Sequence, residues 1–346
     1  MPRLALVIAL VFALAPARAQ LVTGFNQAWL HDSYSHGWVG GFDRAEGQRL
    51  LAAVAQHGGR VLRMWLFEGL DPEGVIWDGG APARGHRTRP TGIDPRKLAN
   101  LETFLGDAEA AHVAVYLTLF DGNMFRWQGP GFDDRRAEWW NVLNDRFGAG
   151  DGFRDAVLAP VAAVLARHRS AIFGVDLVNE GNFLVRAGWF DGGWPGAVKF
   201  VTAWRASLRA HAAVPVGMSF GGGEAVPLLL AHRIPAEAVD LFDFHVYDDG
   251  GAIPQADAVR AFAKQAGRPV FLGEFGQLSK AYDDALQQRV TAAFLRGARS
   301  LGLSAALAWR LSDVRPGVNP EARLSFEAFG RWRPAMDTFQ QVSNER

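Results

Sequence analysis

The chain has 346 residues, 49% of them hydrophobic, enough for one large α/β barrel or two ordinary domains with a real core. Lysine plus arginine equals aspartate plus glutamate at 36 each, so neither nucleic acid nor an anionic membrane surface is an expected partner. There is no cysteine, which excludes disulfides and a lipid anchor on a signal-peptide cysteine.

Taken in order, the chain opens on Arg3, an apolar run from Leu4 to Ala15, and the small-residue site Ala17-Arg18-Ala19. That is the pattern of a secretory signal over residues 1–19, with the mature chain starting at Gln20. The apolar run is too short for a comfortable membrane span. A secreted or periplasmic monomer is expected, with a single domain over residues 20–346.

Strand and helix patterns then alternate to the end. Strands are expected at Leu21–Trp29, Arg60–Phe67, His112–Phe120, Ala171–Val178, Pro215–Phe220, Leu241–Tyr247, Arg268–Gly273 and Ser304–Trp309. Helices are expected between and after them, at Asp43–His57, Pro95–Ala111, Phe153–His168, Ala197–Ala212, Glu224–His232, Ala256–Gln265, Tyr282–Ser300 and Arg331–Gln341. Asp94-Pro95 is a helix start, an N-cap followed by a proline whose missing N–H costs nothing there. This alternation demands parallel strands with crossover helices, and its length fits a single (β/α)8 TIM barrel with long loops. The rival open, doubly wound sheet would place a glycine-rich turn directly after strand one, and Gly37-Trp38-Val39-Gly40-Gly41 comes too late and lacks the spacing. Long loops follow strands three and four and carry Trp127, Trp139, Trp140, Trp189 and Trp194. The chain has 12 tryptophans against 4 tyrosines, which fits sugar binding, because the C–H face of a pyranose packs on an indole ring.

Two apolar runs end in glutamate. Gly174-Val175-Asp176-Leu177-Val178 leads into Asn179-Glu180, and Pro269-Val270-Phe271-Leu272-Gly273 leads into Glu274. On strands four and seven they would face each other over the barrel mouth. Two carboxyl groups flanking one bond are the minimum equipment for glycoside hydrolysis, and a short separation makes one of them a nucleophile. Arg63 and Trp65 are two apart on strand two and share a side, leaving Leu62 and Met64 to the helices.

Asn179-Glu180 at the end of strand four, His245-Val246-Tyr247 at strand six and Glu274 at strand seven together resemble clan A of the glycoside hydrolases, in particular the cellulase-like family 5. The resemblance implies that Glu180 is the general acid/base and Glu274 the nucleophile. It implies that Asn179 meets the sugar 2-hydroxyl, that Arg63 and Tyr247 hold Glu274, and that Trp309 is an aromatic floor. His245 and Trp65 complete the substrate-binding candidates. An acid must hold its proton, so Glu180 is expected to lack a cationic neighbour. Two positions depart from the family pattern: Gly181 stands where proline is frequent, and strand three ends in Asp121 with no histidine.

The expected activity is retaining hydrolysis of a β-linked glycan, a β-mannan or β-glucan, cleaved internally or from one end. No cofactor is expected, because both carboxyl groups come from the protein. A metal-dependent barrel hydrolase would show His-x-His on strand one, and none of the nine histidines forms that pair, so no metal is expected. A carbohydrate-binding barrel that had lost catalysis would lack one of the two glutamates.

Overall fold

The computed structural model describes residues 20–30, 37–67, 74–78, 89–123, 136–279, 282–313 and 323–345. The expected signal segment, Trp127 of the long loop after strand three, and Glu68, an acid just past strand two, lie outside them. The barrel strands are β1 Val22–Asn26, β2 Val61–Trp65, β3 Ala114–Asp121, β4 Ile172–Asn179, β5 in two pieces Val216–Gly217 and Ser219–Phe220, β6 Phe242–Tyr247, β7 Val270–Gly276 and β8 Ala305–Ala308. The helices are α1 Arg44–Gln56, α2 Pro95–Ala110, α3 Ala159–Arg167, α4 Trp194–His211, α5 Ala225–Leu230, α6 Ala256–Gln265, α7 Asp284–Leu301 and α8 Ala335–Ser343. Ala149–Phe153 runs into α3 through a π-helical turn at Arg154–Leu158.

All barrel strands pair in parallel, β1 to β2 and β8, β2 to β3, β3 to β4, β6 to β7, and β7 to β8. Strand β5 closes the ring in halves. Val216 and Gly217 pair with Val175 and Asp176 of β4, while Ser219 and Phe220 pair with Asp243 and Phe244 of β6. The expected unbroken strand five is therefore interrupted at Met218, because one short strand must serve neighbours that diverge around the barrel.

Alternation sorts the side chains. Along β2, Val61 joins the barrel interior, whereas Leu62 and Met64 join the large cluster between strands and helices. The interior is floored by Val61, Tyr116, Leu241, Phe271, Ala305 and Leu307. Each fully buried Val, Leu or Phe side chain among them stabilises by about 1.5–3 kcal/mol. The helix starts follow the sequence: Asp43, Asp94 and Asp283 each accept a backbone N–H in the first turn of α1, α2 and α7.

Two of the long loops are structured. Arg136–Leu143 and Asn182–Arg186 are short helices, and Trp139 is fully buried, packed edge-on to Trp77 and Phe120. The last expected helix begins later, at Ala335, behind a hairpin pairing Glu327 with Trp332. Among the described residues no helix is long and apolar enough to cross a membrane.

Candidate active site

Above the apolar floor lies a charged layer. Arg63 is fully buried, and its Nη2 donates to Asp176 Oδ2 at 2.6 Å and Asn179 Oδ1 at 2.9 Å. Its Nη1 donates to Glu274 Oε1 at 2.5 Å and Asn26 Oδ1 at 3.1 Å. The guanidinium lies 4.4 Å from the centre of the Trp65 ring, which meets Trp309 edge-on at 5.8 Å. Burial alone would lower the Arg63 pKa, but the charges of Asp176 and Glu274 outweigh it and raise it. Arg63 therefore stays a cation inside the barrel.

Glu274 reaches this layer through a bulge. The β6–β7 register shifts between Leu272 and Glu274. Phe271 points inward, and Leu272 and Phe275 point out to the helix layer. Strict alternation would send Glu274 outward; the extra residue turns it into the barrel. Its Oε2 accepts from the Tyr247 hydroxyl at 2.6 Å. Burial pushes the Glu274 carboxyl above the ordinary range, opposed by the charges of His245 and Arg63 and by the Tyr247 hydrogen bond.

Glu180 is delivered differently. It ends β4 with a φ of 51°, a left-handed backbone unusual outside glycine, which turns its side chain over the mouth beside Asn179. Its N–H donates to Ser219 Oγ at 2.9 Å, and Ser219 Oγ donates in turn to Asp176 Oδ2 at 2.9 Å. A Cβ at Gly221 would lie 2.0 Å from Glu180 Oε1, so only glycine leaves room for the carboxyl there. Gly181 has a similar reason. A Cβ there would lie 2.5 Å from Met218 Sδ, and its N–H donates to Ser219 O, so the proline frequent in the family would fit neither space nor bond.

His245 sits between the glutamates. Its Nδ1 is 3.2 Å from Glu180 Oε1 and 3.5 Å from Glu274 Oε2, and its Nε2 faces Asp243 Oδ1 at 3.6 Å. Burial pulls its pKa down, but the charges of Glu274 and Asp243 and the Glu180 contact outweigh this and push it up to about 10. The expectation that Glu180 lacks a cationic neighbour is thus not met. Burial raises the Glu180 carboxyl, yet the His245 and Asn123 hydrogen bonds bring it below its ordinary value.

One oxygen of Glu180, one of Glu274 and a ring nitrogen of His245 lie within 4.8 Å of one another. That spacing could also hold a metal ion. A metal needs neutral imidazole, however, whereas the charges of Glu274 and Asp243 favour the protonated ring of His245, and Tyr247, Arg63 and Asn123 already donate to the carboxylates.

All eight residues singled out in the sequence gather here. Trp309 and Trp65 form an aromatic wall with Trp29, 7% and 2% exposed respectively, so Trp65 acts more as a support under Arg63 than as an open face. Asn26, Asp121, Asn123, Asp176, Ser219 and Asp243 were not singled out as site residues. Asp176 and Asp243 carry a readable signal, a carboxylate inside an apolar strand, three residues before Asn179 and two before His245. Two further acids lie just past strand ends and have structural partners: Asp248 caps its own turn at Gly250, and Asp313 pairs with Arg310.

No protein-family model matches the chain. A mannan endo-1,4-β-mannosidase from Mytilus edulis is 24% identical over 171 residues, 46% of this chain and 39% of that protein. The match thus spans about two fifths of the curated relative's length. Among solved structures, a β-mannanase from the same mussel superposes with a TM-score of 0.63 at 17% identity, covering 93% of this chain and 92% of that one. An exo-β-1,4-mannosidase from Opitutaceae bacterium strain TAV5 gives 0.66 at 17% identity, covering 93% and 59%. The barrel is the fold of these enzymes.

Proposed function

We propose that the chain is a retaining glycoside hydrolase cleaving β-mannosidic bonds of a glycan. The observation that carries this reading is the pair of buried strand-end glutamates whose carboxylate oxygens lie within 4.8 Å. Double displacement needs carboxyl groups about 5–5.5 Å apart, whereas inversion needs room for a water and about 6.5–9.5 Å.

Glu274 attacks the anomeric carbon as the glycosidic C–O bond breaks, and the departing oxygen takes a proton from Glu180. Water then attacks the glycosyl ester, Glu180 takes the water's proton, and the Glu274 carboxylate is released. Arg63 and Tyr247 hold Glu274 ionised and aimed. In the resting site the proton that Glu180 needs is held 3.2 Å away on His245 Nδ1. Transfer along that contact turns a carboxylate–imidazolium pair into a carboxylic acid–imidazole pair without a net change in protons. Asn179 has one amide hydrogen on Asp121 and a second free to meet the sugar 2-hydroxyl.

The mannan assignment rests on the two relatives, and the secretion signal over residues 1–19, preceding one catalytic domain over 20–346, on the sequence pattern. The test is incubation with β-mannans, β-glucans, xylans and galactans, following product size by chromatography and the first-formed anomer by proton NMR. A β anomer from mannan is expected. An initial α anomer would mean inversion and remove Glu274 from its role.

A further inference from the structure

Strand β3 ends where the sequence departs from the family pattern, and the three residues there are bound tightly to the end of β4. Gly122 N–H donates to Asn179 O at 2.8 Å. Asn179 Nδ2 donates to Asp121 Oδ1 at 2.9 Å, and Asp121 Oδ1 also accepts the Asn123 N–H at 2.9 Å. Asn123 Nδ2 donates to Glu180 Oε2 at 2.6 Å. No side chain fits at the middle position: a Cβ on Gly122 would lie 2.6 Å from Asn179 O and 2.7 Å from Glu180 O.

We infer that Asp121 and Asn123 are positioning residues for the acid/base step, with Asn123 fixing one oxygen of Glu180 and Asp121 fixing Asn123. This rests on the retaining-hydrolase reading of the same site. An amide N–H can only donate, so Asn123 holds Oε2 as an acceptor. The transferable proton is thereby assigned to Oε1, the oxygen that faces His245 at 3.2 Å. Asp121 then links both halves of the site through hydrogen bonds. One arm runs through Asn123 to Glu180. The other runs through Asn179, whose Oδ1 accepts from Arg63, and Arg63 donates to Glu274. Asp121 is itself pushed up to about 7, by burial first and by the charges of Glu180 and Glu274, against the bonds from Asn179 and Asn123.

The test uses the purified full chain and two substrates differing in leaving group, β-mannotetraose and 2,4-dinitrophenyl β-mannoside. An acid catalyst matters only when the departing oxygen needs a proton. Asn123→Ala is expected to lower kcat/KM on the oligosaccharide roughly 10- to 100-fold, the worth of one charge-assisted hydrogen bond, and to leave the dinitrophenyl glycoside within about threefold. The same change removes a donor from the Glu180 carboxylate, so the basic limb of the pH profile moves up. Asp121→Ala should share both signatures, and Asp121→Asn, which keeps an oxygen at Oδ1, should recover most of the loss. Asn123→Asp keeps the shape and sets a like charge beside Glu180. It tests the same contact should the alanine variant not fold, and its basic limb should also rise. Equal losses on both substrates, or a basic limb unmoved in both Asn123 variants, would overturn the positioning role. A wild-type chain that cleaves neither substrate would instead overturn the hydrolase reading.

Discussion

The Tyr247 hydroxyl lies 2.6 Å from Glu274 Oε2, on the side of the carboxylate opposite the Arg63 contact. A donor at that distance stabilises the anion that a nucleophile must be. Tyr247→Phe should therefore raise the Glu274 pKa, shift the acidic limb of kcat/KM to higher pH, and lower the plateau roughly 10-fold or more, as loss of a hydrogen bond to a charged group does. Rates measured between pH 4 and 9 check this. An unmoved acidic limb would leave the hydroxyl with a packing role only.

Asp176 tests the charged layer without touching either glutamate. It holds Arg63 at 2.6 Å inside the barrel, and both side chains are fully buried. Breaking a buried pair leaves the remaining charge uncompensated, so Asp176→Ala should lose about 3–5 kcal/mol of stability. Urea unfolding should show a lower midpoint with an unchanged slope.

Gly221 tests space rather than charge. The Cβ of Gly221→Ala would lie 2.0 Å from Glu180 Oε1, and the carboxyl, the free end of a side chain, is what must move. Activity on unactivated glycosides should fall at least 100-fold, because small misplacements of reacting groups cost about that much. The melting temperature should change little. A variant that keeps activity would show that Glu180 works from another rotamer.

Asp121 gives a pH dependence of stability. Its pKa is raised to about 7 in the folded chain from an ordinary value of 3.8. A carboxyl raised by folding favours the folded state below its unfolded pKa, and that contribution is lost as pH rises through the folded value. The wild type should lose stability between about pH 4 and 7. Asp121→Asn cannot titrate, so its melting temperature should gain on the wild type across this window and run parallel above it. Parallel curves throughout would mean that Asp121 stays ionised.

The barrel could be read from sequence because each strand is a short apolar run closed by a turn signal, and three of the helices between them start at an aspartate N-cap, Asp43, Asp94 and Asp283. Glu180 and Glu274 could be read because a carboxylate directly after a buried run has few other uses. What decides their geometry could not. The bulge that turns Glu274 inward lies in a run, Leu272-Gly273-Glu274-Phe275, that reads equally well as plain alternation. The placing of the Glu180 side chain depends on the space over Gly221, which follows another strand. The contacts of Asn123 with Glu180 and of Ser219 with Asp176 join residues 57 and 43 apart, and no local pattern marks them. His245 was read as part of a motif, but its place between both glutamates, and so the lowered pKa of Glu180, follows only from the closed ring.

The central claim is the division of labour between Glu180 and Glu274, and azide rescue tests it most directly. With Glu180→Ala and 2,4-dinitrophenyl β-mannoside, the good leaving group departs unaided and the glycosyl-enzyme accumulates, giving a burst of phenol and a slow steady state. Azide needs no general base, so it should speed that steady state and yield the β-glycosyl azide. Glu274→Ala has no nucleophile and should show no burst; azide in the vacated space should give the α-glycosyl azide. Glu180→Ala should thus give the β azide and Glu274→Ala the α azide. Exchanged anomers, or no effect of azide on Glu180→Ala with both substrate types lost equally, would contradict it.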